Sequence, residues 1–234
     1  MVNEGLEPER IAHVRGELLA SGGDDASGLL CVGSATVVGV AGAGIVLVSG
    51  GRTLGNVCSS NALTQAVEEV QFTSGEGPCL DAFRAGAPVL VPDLASGELS
   101  RWSGFREGAL DAGVRAAFGF PMLVGPVCIG ALNLYHDLVG ELSAEQFADA
   151  EVVAHVATQT ILGWQSVAEP GTLAWQLEQV PAHRAAVHQA AGMVSVQAAV
   201  PVGDALALLR AHAFAEGRPL GDVAADVVAR RLRF

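Results

Sequence analysis

The chain contains no lysine; all thirteen of its basic residues are arginine. Compositional drift in a GC-rich genome explains this more simply than selection for arginine chemistry. Aromatic residues are also scarce, with eight Phe, three Trp and one Tyr in 234 residues. A core must therefore be built mainly from Ala, Val and Leu, with glycines letting backbones approach closely. The four cysteines, Cys31, Cys58, Cys79 and Cys128, form no CxxC pair and sit in apolar surroundings. With no secretory leader they read as reduced thiols in a cytoplasmic protein. Walker, HExxH and GxSxG motifs are absent, and the six histidines lack metal-ligand spacing. Neither catalysis nor a metal is expected, and no cofactor is indicated.

Charge is missing altogether between Ala26 and Gly51, and Leu29–Val48 is long enough to cross a bilayer. Gly33, Gly39, Gly42 and Gly44 break that run into a short helix and a short strand, so no membrane span is expected. Half of all residues are apolar, enough for a packed core and against general disorder. Charge is also unevenly spread. Residues 183–234 carry six arginines and four acids, a net +2, whereas residues 1–182 carry seven arginines and 21 acids, a net −14. Such a split suggests a tail that meets a partner the body would repel, with nucleic acid the first candidate.

Apolar spacing predicts helices over Pro8–Ala20 and Leu29–Val38. Strands follow over Ala43–Ser49 and Thr53–Ser59 across Gly50-Gly51. Asn61 caps a helix over Ala62–Val70, and a short helix runs to Arg84 after Gly75-Glu76-Gly77-Pro78-Cys79. Pro88–Val91 reads as a strand, Phe105–Ala112 as a helix, and Ala116–Val124 with Val127–Tyr135 as a strand pair. Short, hairpin-connected strands imply a largely antiparallel sheet with helices beside it, an α+β fold. Ser143 and Gln146 form a capping box opening a long linking helix that ends near Gln165. Phe147, Ala150, Ala154, Ala157, Ile161 and Trp164 recur along it at seam spacing, which suggests partial use in a homodimer as well as packing on its own sheet. Leu173–Val180 is a candidate bridge helix. Beyond it, Pro201, Gly217 and Pro219 punctuate three short helices that form a compact C-terminal bundle.

Within that bundle, Ala190-Ala191-Gly192-Met193, Ala205-Leu206, Leu209-Arg210, Ala213 and Val223-Ala224 resemble the ANTAR domain, a three-helix RNA-binding output module of bacterial antiterminators. The resemblance covers roughly 175–231. It implies binding, as a dimer, to paired hairpin loops of a leader transcript. Arg184, His188, Ala191, Gly192, Arg210, His212 and Arg218 are the positions it nominates for RNA. Two departures stand out: Ala191 and Gln197 occupy places where the family commonly has lysine and arginine. Losing two phosphate contacts should weaken binding.

Upstream, Phe72-Thr73-Ser74-Gly75-Glu76-Gly77-Pro78-Cys79-Leu80-Asp81-Ala82 and Pro88-Val89-Leu90-Val91-Pro92-Asp93 are similar to the GAF domain, a six-stranded antiparallel sensor fold flanked by helices. The resemblance spans about 8–166, with 167–180 a linker and 181–234 the output domain. It implies an unknown small-molecule or protein signal. A pocket is expected between the sheet and the helices of residues 60–112, lined by Cys79, Phe118 and Phe120. The function implied is a signal-responsive RNA-binding regulator. A dimerisation or protein-interaction regulator without RNA binding is the alternative. A GAF-fold thiol enzyme acting on methionine sulfoxide is a third reading, which lacks a histidine or arginine beside the cysteines to activate them.

Overall fold

Pro8 opens helix α1 (Pro8–Ala20), where its missing N–H loses no hydrogen bond. The computed structural model describes residues 7–20, 26–49, 52–96, 100–169 and 182–234. They fall into two compact units, the first holding α1 to α6 and the sheet apart from Thr73–Gly75 at the end of α3, the second α7 to α9 with those three residues.

In the first unit α2 (Ala26–Val38) leads into strands β1 (Gly42–Ser49) and β2 (Arg52–Ser59). Helices α3 (Ala62–Ser74) and α4 (Pro78–Ala85) follow, then β3 (Val89–Val91), α5 (Ser103–Asp111), β4 (Ala116–Val124), β5 (Val127–His136) and α6 (Ala144–Ser166). The charge-free segment is thus a helix and a strand, and no single described helix is long and apolar enough to cross a membrane. The Gly50-Gly51 turn and the expected helix at Leu173–Val180 lie outside the described residues. The sheet is antiparallel with five strands in the order β2-β1-β5-β4-β3. Among the described residues it is one strand short of the six the resemblance implied.

Alternation along the strands sorts side chains to two covered faces. Ala43 and Ile45 of β1, Phe118 and Phe120 of β4, and Leu132 and Leu134 of β5 join a core with α1, α2 and α6. Val46, Ala117, Ala131 and Tyr135 point the other way, among residues of α3, α4 and α5. The helices on each side are held by specific ends. Asn61 Oδ1 accepts from Thr64 N at 2.9 Å and starts α3. Ser143 Oγ accepts from Gln146 N at 3.1 Å while Gln146 Oε1 accepts from Ser143 N at 3.0 Å, completing the capping box of α6.

Ala150, Ala154, Ala157 and Ile161 of α6 are buried in the core shared with the sheet, α1 and α2, while Phe147 and Trp164 are partly buried against it. Alanine at three of those positions lets the helix sit close to its own domain. The reading of four reduced thiols is corrected. Cys31 of α2 and Cys58 of β2 form a disulfide with a Cα–Cα distance of 5.9 Å, and Cys79 and Cys128 are free. Sequence distance hid the pair, because only the packing of α2 on the sheet edge brings the two together.

The second unit consists of α7 (Ala182–Ala198), α8 (Val202–Ala215) and α9 (Leu220–Val228). Pro201 and Pro219 sit at the N-caps of α8 and α9, and Gly217 takes φ +62° after α8. Its core is Val187, Ala190, Ala191, Val194, Ala205, Leu206, Leu209, Ala213, Leu220, Val223, Ala224 and Val227.

Candidate functional site

The first unit buries a polar cluster under α3. Thr64, Val67, Glu68, Gln71 and Phe72 form the inward stripe of that helix, and Glu68 is only 2% exposed. On β5, Asn133 and Tyr135 lie two residues apart and so share a face. Asn133 Nδ2 donates to Glu68 Oε1 at 2.7 Å, and Tyr135 Oη donates to the same oxygen at 3.0 Å. Gly44, the cross-strand partner of Asn133, leaves room for the carboxylate, since a Cβ there would stand 2.5 Å from Glu68 Oε1. Because Asn133 turns its amide nitrogen to a carboxylate, its oxygen must face elsewhere. That Oδ1 is buried with no hydrogen-bond partner among the described residues. An unmatched buried acceptor is costly and marks where a donor from outside would be stabilised.

Cys79 opens out of the same region. Its N–H donates to Gln71 Oε1 at 3.3 Å. Burial first, and the Glu68 charge second, push its thiol well above the ordinary cysteine range. Tyr135 is raised by the same two causes in the same order. Both groups therefore stay protonated near neutrality.

The Gly75–Ala82 motif organises the neighbouring loop. Gly77 caps α4 at φ +136°, where a Cβ would meet the Gln71 side chain. Glu76 Oε1 accepts from Gly104 N at 2.8 Å and Phe105 N at 3.3 Å, occupying free donors at the start of α5. Asp81 accepts from Trp102 Nε1 at 3.2 Å and pairs with Arg84 at 3.2 Å and Arg101 at 3.0 Å. These bonds hold Trp102 in a left-handed conformation ahead of α5, with the Arg101 guanidinium 4.0 Å above its ring.

The second unit gathers cations where α8 and α9 end. Arg218 Nη2 lies 2.6 Å from Asp226 Oδ2, and Arg231 Nη2 lies 2.6 Å from Asp226 Oδ1. Arg218 also reaches Glu216 at 3.4 Å, and Glu216 lies 3.3 Å from His212 Nε2. The Phe234 ring packs against His212 with centroids 5.2 Å apart, and its N–H donates to Gln197 Oε1 at 3.0 Å. Hydrogen bonds from Arg218 and then Arg231 hold the Asp226 carboxyl below its ordinary range. Two acids thus pre-position three basic side chains, and the exposed Arg230 and Arg233 flank them.

A GAF domain model matches residues 28–162, and an ANTAR domain model matches residues 175–228. The chain belongs to the GAF domain family and carries an ANTAR domain. Among solved structures, the GAF domain of a phosphoenolpyruvate-protein phosphotransferase from Acinetobacter is 14% identical, with a TM-score of 0.50. That alignment covers 68% of this chain and 94% of the other, and it supports the fold alone. A domain of a two-component sensor histidine kinase protein from Sinorhizobium meliloti 1021 is 16% identical, with a TM-score of 0.47, over 60% of this chain and 90% of that one. No curated protein matches the chain.

Within the GAF domain, the three nominated pocket residues do not come together. Cys79 lies on the α3–α4 side of the sheet, whereas Phe118 and Phe120 lie on the α1–α2–α6 side and fill core there. Strand alternation is the reason: Ala117 and Gly119 take the face that Phe118 and Phe120 leave. Glu68, Gln71, Asn133 and Tyr135, absent from the sequence reading, supply the polar groups on the Cys79 side. Within the ANTAR domain, Ala191 is 1% exposed and belongs to core, so it offers nothing to a phosphate. Arg184 is buried as well, and His188 is half-buried. Gly192 is exposed with open space around it. Desolvation lowers Arg210 to a pKa of about 10, leaving it charged at neutral pH. His212 and Arg218 do come together, joined by Arg231, which the sequence reading left out.

Proposed function

We propose that the chain is a signal-responsive, RNA-binding regulator of the antiterminator type, with residues 8–166 sensing and residues 181–234 binding hairpin RNA through the linker 167–180. The observation that carries this reading is the His212–Arg218–Arg231 cluster inside a domain of the ANTAR type. Paired arginines held apart by a carboxylate can exchange that partner for phosphate oxygens, which accept the same forked donors. Arg230 and Arg233 add exposed charge nearby, and Arg184, His188, Gly192 and Arg210 are secondary candidates. RNA as target places the protein in the cytoplasm, and no catalytic step is assigned to it.

Sensing is assigned to the α3 side of the sheet. A small molecule or protein segment presenting an N–H or O–H donor to Asn133 Oδ1 would relieve the cluster around Glu68. Such a signal acts by favouring one of two packings of α6, the last described element before the ANTAR domain, in a homodimer that engages two RNA loops. The test is a gel shift with tandem-hairpin RNA, comparing the wild type with an Arg218→Ala, Arg231→Ala double variant. Binding that falls at least about tenfold in the variant supports the reading. Retained affinity would remove this cluster from RNA recognition.

A second reading rests on a different surface. Ala207, Leu208, Ala211 and Phe214 make the outward face of α8 apolar, with Phe214 89% exposed. That face suits a protein partner better than a polyanion. Absence of RNA binding even at low salt favours this interaction-module reading.

A further inference from the structure

The disulfide between Cys31 and Cys58 has no part in the function argued so far. It ties α2 to β2, the outermost strand of the sheet, across 27 residues. Both sulfurs belong to the core shared by α1, α2, α6 and the sheet. Cys31 is fully buried, while Cys58, on the edge strand, is 8% exposed. The remaining cysteines are poor exchange partners: Cys79 is buried, and burial raises the thiols of both Cys79 and Cys128. Among the described residues Cys31 and Cys58 thus form a closed two-electron couple.

We propose that Cys31 and Cys58 are a reversible dithiol–disulfide site, by which a low-molecular-weight disulfide reports oxidising conditions to the regulator. The inference rests on the RNA-binding reading, because a protein acting on nascent transcripts works where thiol pools are reducing. In such compartments a disulfide is typically transient, catalytic or sensing rather than a permanent staple. The chemistry needs one oxidant of the glutathione-disulfide class. The Cys58 thiolate attacks one sulfur of the small disulfide, forming a mixed disulfide and releasing one small thiolate. The Cys31 thiolate then attacks the Cys58 sulfur, forming the observed bond and releasing the second. Two protein thiols are oxidised, one small disulfide becomes two thiols, and the two protons end on those leaving groups.

Edge strands open locally more readily than central ones, which gives the exchange its entry at Cys58. The structure described is the oxidised form. On reduction two unbonded sulfurs need more room than a bonded pair, so α2 and β2 must move apart. Helix α6 packs on α2 in the same core and receives that displacement.

The full-length protein is equilibrated in glutathione buffers of graded redox poise. Cys31 and Cys58 are then read by differential alkylation and mass spectrometry, and α2 and β2 by hydrogen exchange. Expected are a reversible joint transition of the two cysteines within the cytosolic glutathione range and faster exchange in α2 and β2 on reduction. Tandem-hairpin RNA affinity should shift by about fivefold or more between the two states. That shift should vanish in a Cys31→Ser, Cys58→Ser variant. A pair that stays oxidised until the protein unfolds overturns the proposal, as does equal RNA affinity in the two states of the wild type. If no RNA binds in either state, the RNA reading falls, while the alkylation transition independently upholds or refutes the couple.

Discussion

Tyr135→Phe tests the buried cluster of the GAF domain with a single atom. The hydroxyl donates to Glu68 Oε1 at 3.0 Å, and both side chains are almost fully buried. Phenylalanine keeps the ring in place, so the packing against Val67, Ala117 and Phe105 should survive. What is lost is one hydrogen bond to a carboxylate in a site where water cannot easily replace it. Such bonds contribute about 1.5–3 kcal/mol, well above the net value of a neutral pair. For a chain of this size each kcal/mol moves the melting midpoint by about 2–4 °C, so a loss of about 3–12 °C is expected. Urea unfolding followed by tryptophan fluorescence is the direct assay, because Trp102 lies in the same core as Tyr135. Asn133→Ala, which removes the second donor, should destabilise too, and the double variant should fall short of the sum of the two, because the pair shares one acceptor. A Tyr135→Phe change below about 0.5 kcal/mol would refute the assignment of Glu68 as a buried, hydrogen-bonded carboxylate.

Other outcomes follow from single contacts. At Gly119 an added Cβ would stand 2.7 Å from the Pro78 carbonyl oxygen and 3.1 Å from Ala82 Cβ. Gly119→Ala should therefore cost about 1–3 kcal/mol by urea unfolding, since backbone must shift to accept it. In the native protein at pH 8, Cys79 should resist iodoacetamide far longer than Cys128, with denaturant abolishing the difference; mass spectrometry after timed quenching reads both. Asp226 is depressed chiefly by Arg218 and next by Arg231. Its contribution to ANTAR-domain stability is thus complete above the ordinary aspartate range and lost as pH falls through its lowered folded value. Far-UV circular dichroism of the Asp226→Asn variant should show a smaller loss of stability on acidification than the wild type.

Local signals in the chain were readable where they are short-range. Pro8, Asn61 and the Ser143–Gln146 box start helices within three residues of themselves, and α1 spans the predicted Pro8–Ala20. The residue order around Gly75–Asp93 and Ala190–Ala224 carried the two domain resemblances. Which face a strand residue takes was not readable, because Ala116–Phe120 is buried on both sides and alternation of polarity vanishes. Phe118 and Phe120 were misplaced for that reason. Glu68 carries no local signal, because its partners lie 65 and 67 residues away. Cys31 and Cys58 meet only through tertiary packing.

The central claim is that this ANTAR domain grips RNA through phosphate contacts near His212, Arg218 and Arg231. Fluorescence anisotropy of a labelled tandem-hairpin RNA, titrated with the full-length protein from 50 to 200 mM salt, measures it most directly; over that range even a few phosphate contacts change affinity by about tenfold or more. The account predicts tight binding at low salt and a linear fall of log affinity with log salt. In the Arg218→Ala, Arg231→Ala variant the slope should be shallower by about one per arginine removed. Absence of binding at the lowest salt, or a slope unchanged by both substitutions, would contradict it.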